Sequence, residues 1–198
     1  GGLLADVSGA DAAVTSVAGD RAHPGVIELA TGTDATGRAG VRNAFNGLRL
    51  GGDQIRFSSW LYIPTLSDGT DRYTLRSGLG DSSTGEFTNG VFFRYVDNVA
   101  SGKIQAVTRN GGTETAVDGT TLVAATWYRC ELVVSVTGAL ATFYVNGVTI
   151  AAISTNIPTI VGREVGVVAA NIIKSVGATS RTVRIDRVDV AANLGSVR

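Results

Sequence analysis

At 198 residues, 44% apolar and a mean hydropathy of +0.20, the chain has enough apolar material for one substantial core, and no linker divides it, so one domain is expected rather than two. Its 17 basic and 17 acidic residues cancel, which removes any chain-wide electrostatic reason to expect nucleic acid or an anionic membrane as partner. A single cysteine excludes an intrachain disulfide or a cysteine metal cluster. No run approaches the roughly 18 apolar residues of a membrane helix. No signal peptide is visible, and a chain that lacks methionine and opens Gly1-Gly2 reads as a processed product or an excised fragment.

Residues 1–20 are small and Ala/Gly/Val-rich. Leu3, Val7, Ala10, Val14 and Val17 recur at alternating spacings of four and three, the stripe of a coiled-coil seam. The stripe covers only about two heptads, and Gly9, Thr15 and Ser16 weaken a helix. An extended arm or first strand and a short oligomerising helix are both open, and Leu3, Val7, Val14 and Val17 are the candidate anchoring residues. Residues 21–198 form the expected domain.

From His23 onward the chain reads as short strands broken by turns. Val26 to Thr31 is followed by Gly40 to Phe45 and Leu48 to Leu50, which flank an Asn46-Gly47 hairpin signal. Arg56 to Ile63, Tyr73 to Leu79 and Gly90 to Val96 come next, with a polar loop at 80–89. Lys103 to Thr108 turns at Asn110-Gly111-Gly112 into Thr113 to Val117. Trp127 to Val136, Ala141 to Val145 and Val148 to Ile153 form a meander, turned at Thr137-Gly138 and Asn146-Gly147. Val165 to Ile173 and Thr182 to Ala191 close the chain, the last with a break near Arg187-Val188. About a dozen strands at regular turn spacing predict an all-β, antiparallel two-sheet sandwich.

Single residues limit the chemistry. Cys130 shares strand parity with Tyr128, Leu132 and Val134, so it is expected in the core as a small hydrophobe. His23, the only histidine, lies beside Pro24-Gly25 and is expected to hydrogen-bond across a loop. No partner in the sequence makes it a general base. Of the 17 basic residues 15 are arginine, the side chain suited to planar, bidentate recognition.

His23-Pro24-Gly25 is followed in order by TGTDATGRAG, GVFFRYVD, IQAVTRNGGTETAVDG, WYRCELVVSVTGALATFYVNG and IIKSVGATSRT with an Asp-bearing last strand. Over about residues 22–192 this resembles bacteriophage virion proteins that carry a concanavalin A-like, LamG-like jelly-roll domain. One departure stands out: Arg187 follows Asp186 where the resemblance leads one to expect an aromatic. The resemblance implies a non-enzymatic structural or adhesion protein on the virion surface, in a tail fibre, tail spike, head fibre or capsid decoration. It implies other virion proteins as partners, a homo-oligomer (a trimer by fibre symmetry) and bacterial surface glycan as a ligand, without cofactor, nucleic acid or membrane.

A polysaccharide-cleaving module is the alternative. Arg129-Cys130-Glu131-Leu132 resembles one strand of the jelly-roll alginate lyases, but the Gln-x-His strand and the C-terminal tyrosine of those enzymes have no counterpart here. The paired carboxylates of a retaining glucanase, which must converge at ~5 Å, are also missing. No catalytic residue is therefore assigned. Arg76, Arg94, Gln105, Arg129 and Glu131 alternate with apolar neighbours and are the candidate glycan-binding residues, on the condition that their strands share a sheet. Asp81, Ser82, Glu86, Asn89, Asp97 and Asn98 are loop oxygen donors without EF-hand spacing, and no metal ligand is assigned.

Overall fold

The structure is a computed structural model that describes residues 3–43 and 47–193. In chain order its strands are β1 (Leu3–Ser8), β2 (Ala13–Ser16), β3 (Ile27–Ala30), β4 (Arg38–Asn43), β5 (Gln54–Tyr62), β6 (Tyr73–Gly80) and β7 (Gly90–Tyr95), then a single helical turn, α1 (Asp97–Ala100). There follow β8 (Lys103–Asn110), β9 (Thr113–Thr121), β10 (Trp127–Val134), β11 (Ala141–Val145), β12 (Val148–Ile153), β13 (Gly166–Lys174) and β14 (Thr182–Asn193). They form two seven-stranded antiparallel sheets: sheet I in the order β1-β4-β13-β6-β7-β8-β9, and sheet II in the order β12-β11-β10-β5-β14-β3-β2.

Period-two alternation decides which side of each strand meets the core. On β5, Ile55, Phe57, Ser59 and Leu61 are buried, while Arg56 is exposed and Ser58, Trp60 and Tyr62 are half-buried. Cys130, Leu132 and Val134 on β10 are buried as their parity predicts. Phe93 from sheet I meets Phe143 from sheet II edge to face at 5.3 Å. Each such fully buried ring contributes on the order of 2–3 kcal/mol. The polar groups caught between the sheets are paired: Ser59 and Ser77 hydroxyls lie 3.1 Å apart, and Ser77 donates to the Ala169 carbonyl at 2.6 Å. Lys174, 1% exposed, donates from Nζ to the carbonyls of Gly32 (2.7 Å) and Thr179 (3.1 Å), joining two loops at one end of the sandwich.

The turns follow the residues that permit them. Asn146 and Gly147 have φ of 51° and 79°, the two positive angles that a tight β11–β12 hairpin needs. Gly111 and Gly112, at 59° and 85°, do the same between β8 and β9. Arg187 takes φ 41° at a bulge in β14, the expected break, which realigns Val188 with Ser59 of β5.

One expectation changes, and one falls partly outside the described residues. The helical reading of residues 1–20 is overturned, because β1 pairs with β4 at one edge of sheet I and β2 pairs with β3 at one edge of sheet II. Backbone pairing at two open edges satisfies this Val/Thr/Ser-containing segment, which forms a first strand in each sheet. Val7 is exposed on β1, Val14 packs against the core from β2, and Val17 lies beyond β2, so these three positions form no common seam. Phe45 and Asn46 of the expected Asn-Gly hairpin lie outside the described residues. Leu48 forms an isolated bridge with Val165.

Candidate functional site

Arg76, Arg94 and Gln105 do share a sheet. They stand on adjacent strands β6, β7 and β8, directly opposite one another in register, on the side of sheet I that faces away from the core. Arg94 donates to both oxygens of Glu114 at 2.9 Å and from Nε to Gln105 Oε1 at 3.0 Å, and Gln105 donates to Asp118 at 2.9 Å. The loop at 81–89 folds over one end of this face. Phe87 is buried there with Phe92, Val107 and Val168, a second apolar cluster outside the main core. A side chain at Gly80 would put its Cβ 2.3 Å from the Phe87 ring, so glycine is required beneath that roof. From the same loop Glu86 reaches both Arg76 and Arg109. Beside it opens a groove of about 630 Å³ whose lining includes Arg72, Arg76, Arg94, Glu86, Val99 and Val176.

Arg129 and Glu131 are not part of that surface, because β10 pairs with β5 and β11 in sheet II. A single polar face holding all five candidate residues is therefore excluded by topology. On the outer side of sheet II they join residues that alternation alone had not singled out as a site. Three rows cross β10, β5 and β14: Trp127, Tyr62, Arg184; Arg129, Trp60, Asp186; and Glu131, Ser58, Asp189. Glu131 accepts from Arg129 at 2.9 Å and is also paired with Arg56. Arg184 lies 5.6 Å from the Tyr62 ring centre and is held by Glu28 at 2.7 Å.

His23 organises the aromatic end of these rows. Its ring stacks on Trp127 at 4.0 Å and 15°, meets Trp60 edge on at 5.2 Å, and Nδ1 lies 3.1 Å from the Asp186 carboxylate. The Asp20 carboxylate accepts from the backbone N–H groups of Ala22 and His23, both at 2.8 Å, and fixes the turn that presents the ring. Those two bonds hold the Asp20 carboxyl below the usual carboxylate value. A cleft of about 210 Å³ lies here, lined by residues including Asp20, His23, Tyr62, Trp127 and Arg184. A second small cleft is bounded by Ser58, Trp60, Arg129, Arg187 and Asp189. Both tryptophans of the chain, Trp60 and Trp127, stand on this face, half-buried. The signal was present in RFSSWLYI: once Phe57 and Leu61 are assigned inward, Trp60 and Tyr62 must point outward.

The remaining reactive groups are engaged in structure. Burial pushes the Cys130 thiol up to about 12, which leaves it protonated and inert at neutral pH. Among the loop oxygen donors, Asp81 accepts from Thr88, Asn89 and the Asn89 amide, Asp97 from Ser67 and Arg72, and Glu86 from two arginines. Among the described residues no group of three His, Cys, Asp or Glu side chains is arranged to hold a metal ion.

Residues 22–186, which begin just after β2, match the family described as SO2946-like, C-terminal domain. The chain belongs to that family. No curated protein sequence matches it. The SO2946 protein of unknown function from Shewanella oneidensis MR-1 is similar in structure, with a TM-score of 0.70 at 12% identity, over 99% of this chain and 80% of that one. Botulinum neurotoxin type C, whose cell entry depends on interaction with two ganglioside molecules, is similar with a TM-score of 0.60 at 13% identity. A sialidase is similar with a TM-score of 0.60 at 11% identity. The likeness covers 97% and 94% of this chain in these two cases, but only 44% of the toxin chain and 17% of the sialidase. At such identities the likeness establishes the sandwich fold and no ligand.

Proposed function

We propose that this family member is a non-catalytic glycan-binding sandwich displayed on the surface of a bacteriophage virion, with the outer face of sheet II as its binding surface. The observation that carries the reading is the placement of Trp60, Tyr62 and Trp127 on the solvent side of adjacent strands, in register with Arg129, Asp186 and Arg184. Electron-rich ring faces pack against the C–H side of a sugar ring, and planar charged groups at fixed spacing hydrogen-bond its hydroxyls. The toxin and sialidase likenesses lend support by analogy of fold, since the gangliosides of the toxin are glycolipids. The non-catalytic reading is supported by how the acid and base groups of the cleft are engaged: His23 Nδ1 lies against the Asp186 carboxylate, and the Asp20 carboxylate accepts two backbone N–H groups.

The virion setting rests on the ordered motif resemblance from His23-Pro24-Gly25 to the last strand. The partners are then other virion proteins, and the protomer assembles as a trimer. Residues 3–16 supply an edge strand to each sheet, so truncating them tests the fold rather than assembly. Val7, exposed on β1, is the better probe, and Val7→Glu should dissociate the oligomer in light scattering without unfolding it. A wild-type monomer would remove the assembly role.

The experiment for the main reading is a bacterial-glycan array probed with the wild-type chain and Trp127→Ala, with released reducing or unsaturated ends measured in parallel. Binding that Trp127→Ala loses, without released ends, is expected. Turnover of any polymer would overturn the non-catalytic part. Immunogold labelling that leaves purified phage particles bare would overturn the virion part.

A further inference from the structure

We propose that the groove on the outer face of sheet I is a second binding site, which takes the carboxylate of an acidic sugar on Arg76, and that Glu86 stands in for that carboxylate until it is displaced. Arg76 lies at the floor of the groove and is 4% exposed. Its Nη1 has no hydrogen-bond partner among the described residues. A buried guanidinium nitrogen without an acceptor costs free energy that an incoming oxygen would recover. Glu86 satisfies only half of the fork: one oxygen takes Arg76 Nη2 and the other takes Arg109 Nη1. A ligand carboxylate placed side-on would take both Arg76 nitrogens, while Glu86 keeps Arg109.

The stand-in is built to leave. The Glu86 side chain is 60% exposed and belongs to a loop, whereas the neighbouring Arg94 is locked by Glu114 and Gln105. Burial holds the Arg76 guanidinium below its ordinary value; Glu86 opposes this, and Arg94 and Arg109 add to it.

The walls favour a sugar over a peptide. Thr74, Asn98 and Ser175 offer hydrogen bonds, while Val99 and Val176, 58% and 41% exposed, offer apolar lips for the C–H face of a ring. An extended peptide would need a free strand edge, and β6 and β7 are each paired on both sides. The volume of about 630 Å³ lies within the usual range for small-ligand sites.

The test is calorimetric titration of the folded chain with tetragalacturonate, tetraglucuronate and sialyllactose, with the methyl ester of each, and with a tetrapeptide bearing a free C-terminal carboxylate. At least one acid should bind and its ester should not. Glu86→Gln should tighten that binding by about tenfold, the reverse of what removing an attractive or purely structural residue would do. Trp127→Ala should leave it unchanged, which separates this site from the sheet II face. The proposal is overturned if no acid binds, if acid and ester bind alike, if the peptide binds and the sugars do not, or if Glu86→Gln weakens or leaves unchanged the affinity.

Discussion

The two outer faces carry charged side chains to different ends. On sheet I, an arginine and a glutamine meet carboxylates strand against strand, Arg94 with Glu114 and Gln105 with Asp118, and a loop pinned by Phe87 roofs one end. On sheet II the same kinds of pair, Arg129 with Glu131 and Arg184 with Glu28, frame exposed parts of Trp60, Tyr62 and Trp127 instead of covering them. The lesson is that a polar strand face becomes a recognition surface by virtue of what the ion pairs leave open. On one face they leave an aromatic strip; on the other, the unpartnered Arg76 Nη1 beside the groove.

The largest expected effect breaks one face and spares the other. Phe87→Ala removes the ring that anchors the 81–89 loop and should cost about 3–5 kcal/mol in urea denaturation. Glycan binding on sheet II should survive in the molecules that remain folded. Next, Trp127→Ala should weaken glycan binding at least about tenfold, as expected for an aromatic anchor of an interface. An equal loss on Phe87→Ala would mean that the two faces are not independent.

Acid should weaken the contacts of sheet I and its edge. The Ser83 hydrogen bond, opposed by burial and aided by Arg42, holds the Asp6 carboxyl below its ordinary value of 3.8. Against the opposing effect of burial, Arg76 and Arg109 hold Glu86 below 4.5. Because the folded values are depressed, the stability these groups contribute is present above the unfolded values and is lost as pH falls through the folded ones. The urea midpoint should therefore be level above about pH 5 and decline below it, with a shallower decline in Glu86→Gln. The smallest effect is expected for Glu114→Gln. Its pair with Arg94 lies at the surface and should contribute less than about 1 kcal/mol by thermal melting. A larger loss would show that the sheet I lattice supports the fold.

Much of the fold was legible because strand parity and turn chemistry are local. Asn146-Gly147 fixed one hairpin, Arg187 marked the bulge, and the parity of Cys130 placed it inside. The partition of strands between sheets is not local. Arg129 and Arg94 look alike in sequence, and only the long-range pairing of β10 with β5 and of β7 with β8 separates them. The first 20 residues were ambiguous for the same reason: a four-three spacing over so short a stretch yields to whatever sheet edges are open. The site around His23 joins residues from the start, middle and end of the chain, so its stack on Trp127 and its bond to Asp186 had no sequence signature.

The most direct measurement uses the fact that both tryptophans lie on the sheet II face. Titration of the chain with the array-selected bacterial glycan, followed by intrinsic tryptophan emission, should show a saturable shift that disappears in Trp127→Ala. A neutral glycan, which has no carboxylate for the sheet I groove, that binds by calorimetry while leaving the tryptophan emission unchanged would contradict the account, because it would place recognition away from the aromatic rows.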